Sequence, residues 1–265
     1  MSTFFEKIND LDILLHCDGY EREYFFAECS RLAYKGQKLA SKEFKKVGFT
    51  SYKFCSVEGA QCHIVKNRDY IVIAFRGTER RQFSDIKADL MAWKRKSRTE
   101  GHVHAGFKNE LDKLWADIKM GLSRKGDRTI FLCGHSLGGA IATVCASRLE
   151  KDVEELYTYG SPRVGGDVFR DNLLVDHCRV VNNNDMVTKV PFWFIGYRHH
   201  GYLTYINHYG NIRTLTSWQK FKDQLRGRWA AIRKFQMFDG IRDHDINKYC
   251  SKLKAMVKVE PTFGD

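Results

Sequence analysis

Thr129-Ile130-Phe131-Leu132-Cys133-Gly134-His135-Ser136-Leu137-Gly138-Gly139-Ala140-Ile141-Ala142 passes from one kind of backbone to another within a few residues. Thr129 to Cys133 is β-branched, aromatic and apolar with no polar alternation, as in a strand buried on both faces. From Leu137 to Leu149 the chain is rich in Ala and apolar residues, which predicts a helix buried against a sheet. Between them, Gly134-His135-Ser136-Leu137-Gly138 sets a serine at a tight strand-to-helix turn. A serine there is forced into a strained backbone geometry that lifts its hydroxyl above the sheet edge. The glycines two positions either side leave room for strand and helix to close up. The helix start directs open N–H groups and the positive end of its dipole toward any negative charge that develops nearby.

Working outward, three more stretches read as buried strands: Tyr70 to Phe75, Leu156 to Tyr159 and Cys178 to Val181. Each is short, β-branched or aromatic, and stopped by Gly or Asn. Phe107, Leu111, Leu114, Ile118 and Leu122 recur at spacings of three and four and give one apolar helix face. Strands alternating with such helices predict an α/β fold with a mostly parallel central sheet covered on both faces. The first 50 residues read as helices packed over that sheet. With 265 residues, 43% of them hydrophobic, the chain can bury one large core, and a single domain over 1–265 is expected. A disordered tail and a collagen-like fibre are excluded.

The 44 Lys and Arg against 32 Asp and Glu leave a net charge of +12. Such an excess allows nucleic acid, an anionic membrane or no particular partner. No helix-turn-helix, zinc-finger or RNA-binding signature accompanies it, so no nucleic-acid partner is expected. The eight cysteines are scattered without a CxxC pair and read as reduced, buried small hydrophobes. No apolar run approaches the roughly 18 residues of a membrane span. The start MSTFFEKINDLDILL carries Glu6, Lys7, Asp10 and Asp12 where an export signal needs an unbroken apolar stretch. The expectation is a cytoplasmic protein, or one exported by a specialised route.

A serine hydroxyl is a poor nucleophile unless a base takes its proton and a carboxylate orients the base. On sheets of this kind the chain order is Ser, then Asp, then His. Asp185 stands just past the strand Cys178 to Val181, at the sheet end where such a site forms; the ordinary alternative is an Asx-turn residue capping that loop. Asp176 precedes the strand and belongs to the other end of the sheet. His199, His200, His208 and His244 all follow Asp185, and spacing alone leaves the base open. His208 lies in the strand-like Leu203 to Tyr209, where a packed histidine is the ordinary expectation, and His244 in a loop leading into a short helix.

Ala74-Phe75-Arg76-Gly77-Thr78, His104-Ala105-Gly106-Phe107, Gly134-His135-Ser136-Leu137-Gly138-Gly139, Tyr159-Gly160-Ser161-Pro162-Arg163-Val164-Gly165, Val181-Asn182-Asn183-Asn184-Asp185, and Asp243-His244 followed by Tyr249 come in this order along the chain. From about residue 60 to 252 the sequence resembles the class 3 (fungal-type) lipases of the α/β-hydrolase superfamily. The resemblance implies an α/β-hydrolase fold with a lid, Ser136 as nucleophile, Asp185 as acid and His244 as base. It assigns His199, in Tyr197-Arg198-His199-His200-Gly201, to the family's structural histidine. It also implies an oxyanion hole from the Leu137 N–H and from Thr78, through its N–H and hydroxyl. Preorganised donors there are worth roughly 3 to 4 kcal/mol each. The chain departs from the family where Thr188, in place of proline, follows Val187, and in a longer segment from Thr78 to Asp89.

The implied activity is that of a serine ester hydrolase on acyl esters of lipids, as in triacylglycerol or monoacylglycerol lipases and phospholipases A1, with no cofactor or metal. Small soluble esters are the alternative substrates. Residues 79–104 occupy the lid position and are crowded with Arg and Lys among Phe83, Leu90, Met91 and Trp93. Residues 218–238 place Trp218, Phe221, Leu225, Trp229, Ile232 and Phe235 at helical spacing among basic residues, an amphipathic helix that Gly227 weakens by roughly 1 kcal/mol. Both segments suit peripheral contact with an anionic membrane. The ordinary reading of the helix is a core-packed stripe with a solvated basic face. A reading from a different class is a catalytically weak module that keeps the fold and docks membranes; a complete triad argues against it.

Overall fold

The computed structural model describes residues 3–8, 11, 20–77, 94–212 and 242–257. Helix α1 (Glu21–Leu32) and helix α2 (Gln37–Lys46) come first, as expected of the N-terminal region. The strands β1 (Ser51–Val57), β2 (Ala60–Lys66) and β3 (Tyr70–Phe75) follow as an antiparallel meander. Glu58 and Gly59 join β1 to β2 with both φ values positive, +46° and +85°, the two-residue turn whose twist suits a hairpin. A short ribbon, β4 (Lys94–Lys96) with β5 (His102–His104), leads into helix α3 (Ala105–Leu122).

From there the chain alternates. Strand β6 (Thr129–His135) feeds helix α4 (Leu137–Leu149), then strand β7 (Val153–Tyr159), helix α5 (Asp167–Asp171), strand β8 (Asp176–Asn182), strand β9 (Tyr202–Ile206) and helix α6 (Ile246–Met256). The main sheet runs β1-β2-β3-β6-β7-β8-β9, parallel from β3 onward. This is the expected mostly parallel sheet. Strand β3 has the predicted bounds, whereas β6, β7 and β8 extend beyond their apolar cores because polar residues such as Glu155 and Asp176 still pair at the sheet ends. Strands β1 and β2 were not evident from composition, whereas the strand-like stretch Leu203 to Tyr209 overlaps β9. Strand β9 stops at Ile206, so His208 sits in the following turn, where the Asn207 side chain accepts from the Tyr209 and Asn211 N–H groups.

Both faces are covered. On one, α1, α2 and α6 bury Phe25, Phe26, Leu32, Phe44, Tyr249 and Leu253 against Phe131, Tyr157 and Tyr159 of the sheet. On the other, α3 and α4 bury Phe107, Leu111, Leu114, Ile118, Ile141 and Val144. The predicted apolar face of α3 is thus its core face, with Leu122 partly buried at its end. The seven described cysteines are buried thiols. The amphipathic-helix candidate 218–238 lies outside the described residues, as do 79–93 of the lid candidate; its remaining residues, 94–104, contain the β4–β5 ribbon.

Candidate active site

Ser136 stands between β6 and α4 with φ +60° and ψ −130°. A non-glycine residue in such a region costs on the order of 1–3 kcal/mol and persists only where its surroundings over-determine it. Here they do. The Ser136 N–H donates to the Tyr159 carbonyl at 2.9 Å, and its own carbonyl accepts from Gly139 at 3.0 Å and Ala140 at 3.3 Å. A Cβ on Gly134 would stand 2.4 Å from the Gly138 carbonyl carbon, and one on Gly138 would stand 2.3 Å from the Phe75 carbonyl oxygen. β6, α4 and β3 therefore meet backbone to backbone, and the serine is buried at their junction. Leu137 is the first residue of α4, so its N–H belongs to the open donors of the helix N-terminus. Thr78 lies outside the described residues.

Asp185 follows β8 and is completely buried, so its carboxylate needs donors. Oδ1 accepts from the Val187 N–H at 2.9 Å, and Oδ2 accepts from the Tyr249 hydroxyl at 2.6 Å. Nδ1 of His244 lies 3.0 and 2.9 Å from the two oxygens. An Nδ1–H facing a carboxylate leaves Nε2 as the lone-pair atom of the neutral ring. The Asx turn and the orienting acid are here one residue, because each oxygen serves a different donor. Asp176 begins β8 at the opposite end of the strand and is exposed, as expected.

Two residues tie His244 to the elbow. His135 donates through Nε2 to the His244 carbonyl at 2.7 Å, its ring lies 4.4 Å from the His244 ring, and its Nδ1 accepts from the Tyr34 hydroxyl at 2.8 Å. Gly160, next to the Tyr159 that holds the Ser136 N–H, has φ +57°; a Cβ on it would stand 2.6 Å from Asp185 Oδ2 and 2.9 Å from His244 Nδ1. The absence of that methyl group is what lets the acid–base pair sit against the elbow. Ser136 and Asp185 thus follow the C-terminal ends of β6 and β8, with His244 paired to Asp185 at that same end of the sheet.

The other histidines lie elsewhere. His199 donates to the Thr188 carbonyl at 2.8 Å, while the Thr188 hydroxyl donates to the Asp185 carbonyl at 2.9 Å. Burial, then the nearby Arg179 and Arg163 charges, push His199 well below the usual histidine range, so it supports the acid loop as a neutral ring. His200 pairs with His177, Nδ1 to Nδ1 at 3.1 Å. Sequence reasoning named Tyr249, Asp243, His135 and Gly160 only as parts of motifs and gave them no supporting role. Asp243 is buried and accepts from the Asn183 side chain (3.0 Å) and the Asn184 N–H (3.3 Å), fixing the residue just before His244. Tyr249 carried a readable signal. With Ile246, Cys250 and Leu253 it forms the inward stripe of α6. Burial, then the Asp185 charge, hold its phenol well above the ordinary value, so it remains a donor. Among the described residues no group of three His, Cys, Asp or Glu side chains is placed to hold a metal ion.

A profile of the lipase (class 3) family matches residues 72–195, a span that contains the elbow and Asp185. The secreted mono- and diacylglycerol lipase 1 of Fusarium solani is 42% identical over 106 residues, which cover 37% of this chain and 32% of that protein. Over this span the chain is similar to the class 3 lipases. Among solved structures, the lipase from Rhizopus microsporus var. chinensis superposes with a TM-score of 0.57 at 25% identity, covering 70% of this chain and 72% of that one. The native Rhizomucor miehei lipase propeptide complex superposes with a TM-score of 0.64 at 19% identity, covering 83% and 77%. The fold of this chain is therefore that of the α/β-hydrolases. The chain spans about a third of the length of the Fusarium relative.

Proposed function

We propose that this chain, like the class 3 lipases it resembles, hydrolyses acyl esters of lipids with Ser136 as nucleophile, His244 as base and Asp185 as the carboxylate that orients it. The observation that carries the proposal is the buried Asp185–His244 pair, with Nδ1 2.9 Å from Oδ2, set against the strained turn of Ser136. Ser136 Oγ attacks the ester carbonyl carbon while Nε2 of His244 takes its proton. Asp185 holds Nδ1–H and stabilises the imidazolium that forms. The oxyanion rests on the Leu137 N–H at the start of α4 and on Thr78. Collapse of the tetrahedral intermediate breaks the ester C–O bond, and His244 protonates the departing alcohol. Water, deprotonated by His244, then attacks the acyl-enzyme, releases the fatty acid and restores Ser136. The tight Gly134–Gly138 contact supports the oxyanion step, because it fixes the donor before the charge appears.

The name of the Fusarium relative puts mono- and diacylglycerols first among the candidate substrates, and the remaining candidates are phospholipids and small soluble esters. The test is a panel of these esters with wild type and Ser136→Ala, alongside covalent labelling by a fluorophosphonate probe. Wild type labels and turns over at least one lipid ester. Ser136→Ala loses labelling and at least about a thousandfold in kcat/KM. A folded Ser136→Ala protein with near-normal turnover overturns the mechanism, and a wild type inert to probe and panel favours a binding module on the same fold.

A further inference from the structure

We infer that the turn Trp193–Ile195 is a membrane anchor that seats this chain on an anionic lipid bilayer, with the basic strand β4 beside it as the electrostatic partner. Trp193 and Phe194 are 64% and 66% exposed, and Ile195 and Met186 are 40% and 46% exposed. Large side chains clustered in the open are unusual on a protein surface and mark sites of contact. This cluster is built rather than loose. Gly196 donates to the Trp193 carbonyl at 3.0 Å, and Arg198 donates to the same carbonyl at 2.7 Å, so the backbone of the turn is closed. The Phe192 and Phe194 rings stack 5.1 Å apart, with Trp193 edge-on to Phe194 at 6.1 Å. Rigid aromatic groups lose little conformational freedom on burial, and indole suits the boundary between lipid tails and headgroups.

Charge selects the occupant. From Met186 to Arg198 there is no carboxylate, while Lys189 and Arg198 are present. Lys94 of β4 donates to the Gly196 carbonyl at 2.8 Å and lies 4.7 Å from the centre of the Tyr197 ring, which ties β4 to the aromatic turn. The next two residues of β4, Arg95 and Lys96, are exposed. The neighbouring carboxylate Asp167 is already engaged by Arg170 at 2.9 Å and Arg198 at 3.0 Å. An apolar aromatic tip above a cationic base matches lipid tails beneath a layer of phosphates. The turn is close to the site along the chain, Trp193 standing eight residues after Asp185. Under the proposed hydrolase reading, which this inference extends, docking there sets the acid loop against the surface that holds the substrate.

Flotation of the whole chain with vesicles tests this. The vesicles are ether-linked phosphatidylcholine, alone or with a third of it replaced by ether-linked phosphatidylglycerol, so that no acyl ester is available for hydrolysis. Wild type is expected to float with the mixed vesicles and far less with phosphatidylcholine alone. Trp193→Ala/Phe194→Ala is expected to lower partition into mixed vesicles by about tenfold or more. Arg95→Glu/Lys96→Glu is expected to bring mixed vesicles down to the phosphatidylcholine level. Melting temperature, fluorophosphonate labelling and turnover of a soluble short-chain ester stay at wild-type values in both variants. Partition unaffected by the aromatic substitutions, indifference to phosphatidylglycerol, or no flotation at all, as for a surface that recognises a protein, overturns the anchor. Loss of labelling in the wild type overturns the hydrolase reading and leaves the flotation result standing.

Discussion

Gly160 separates two effects that glycine substitutions usually mix. Gly59, at φ +85°, has nothing within 4 Å of the point where a Cβ would stand, whereas at Gly160, with φ +57°, the same point is 2.6 Å from Asp185 Oδ2 and 2.9 Å from His244 Nδ1. Each alanine variant is expected to lose about 1–3 kcal/mol of stability to backbone strain. Only Gly160→Ala also displaces the acid–base pair, so its kcat on a soluble ester should fall by at least about tenfold while Gly59→Ala keeps wild-type kcat. Tyr249→Phe removes one of the donors to a buried carboxylate. Urea unfolding should show a loss of about 1–3 kcal/mol, and kcat should drop with KM unchanged, because the hydroxyl positions Asp185 and touches no substrate. Unchanged kcat in both Gly160→Ala and Tyr249→Phe would sink this account of the site. At this scale the serine was readable from local pattern alone, since strand, turn and helix are all contiguous with it. The base was not. Four histidines follow Asp185, and only family resemblance, then the distance to Asp185, separates His244 from the rest.

Among elements, α1 is the most instructive. Its residues from Tyr24 to Leu32 are buried all round, because the helix lies between the sheet and α6. Phe26 stacks on Tyr157 of β7 at 4.3 Å and lies 5.3 Å from Phe131 of β6. Phe26→Ala is expected to cost about 3–5 kcal/mol by urea denaturation, with an unchanged m-value. The same variant should keep its kcat wherever it remains folded, as the cavity lies beneath the sheet rather than at its active end. A buried ion pair of Arg31 with Glu28, at 2.5 Å, sits on the same helix. Strands β3 and β6 were legible as unbroken apolar runs because both faces of a central strand meet helices. The β1–β2 hairpin was harder to see. It is the edge of the sheet, and residues such as Lys53, Ser56 and Gln61 interrupt the apolar signal.

Across the whole molecule, burial of neutral histidines makes stability depend on pH. His63 is fully buried among Phe44, Tyr52 and Phe54, and that burial pushes it down to about 4. The unfolded chain binds this proton near pH 6.5 while the folded chain resists it, so the stabilising effect is complete above about pH 6.5 and is lost as the pH falls toward 4. His63 alone accounts for about 3 kcal/mol across that window. His177 and His199, also lowered by burial, act in the same direction, whereas Glu23 and Glu28, raised by burial, oppose it. Comparing wild type with His63→Phe isolates one ring. The urea midpoint of the variant should fall less steeply with acid, and equal slopes would show that His63 does not carry the effect.

The elbow, the mostly parallel character of the central sheet and the apolar face of α3 were determined by sequence alone, because each follows from the pattern of residues within a few neighbouring turns or strands. Which histidine meets Asp185, why position 160 tolerates no side chain, and how Trp193 and Phe194 come to stand beside a basic strand were decided by tertiary structure. His244 and Asp185 lie 59 residues apart, and Lys94 and Gly196 lie 102 apart. Contacts across such separations depend on how layers stack over the sheet, and no local periodicity encodes that.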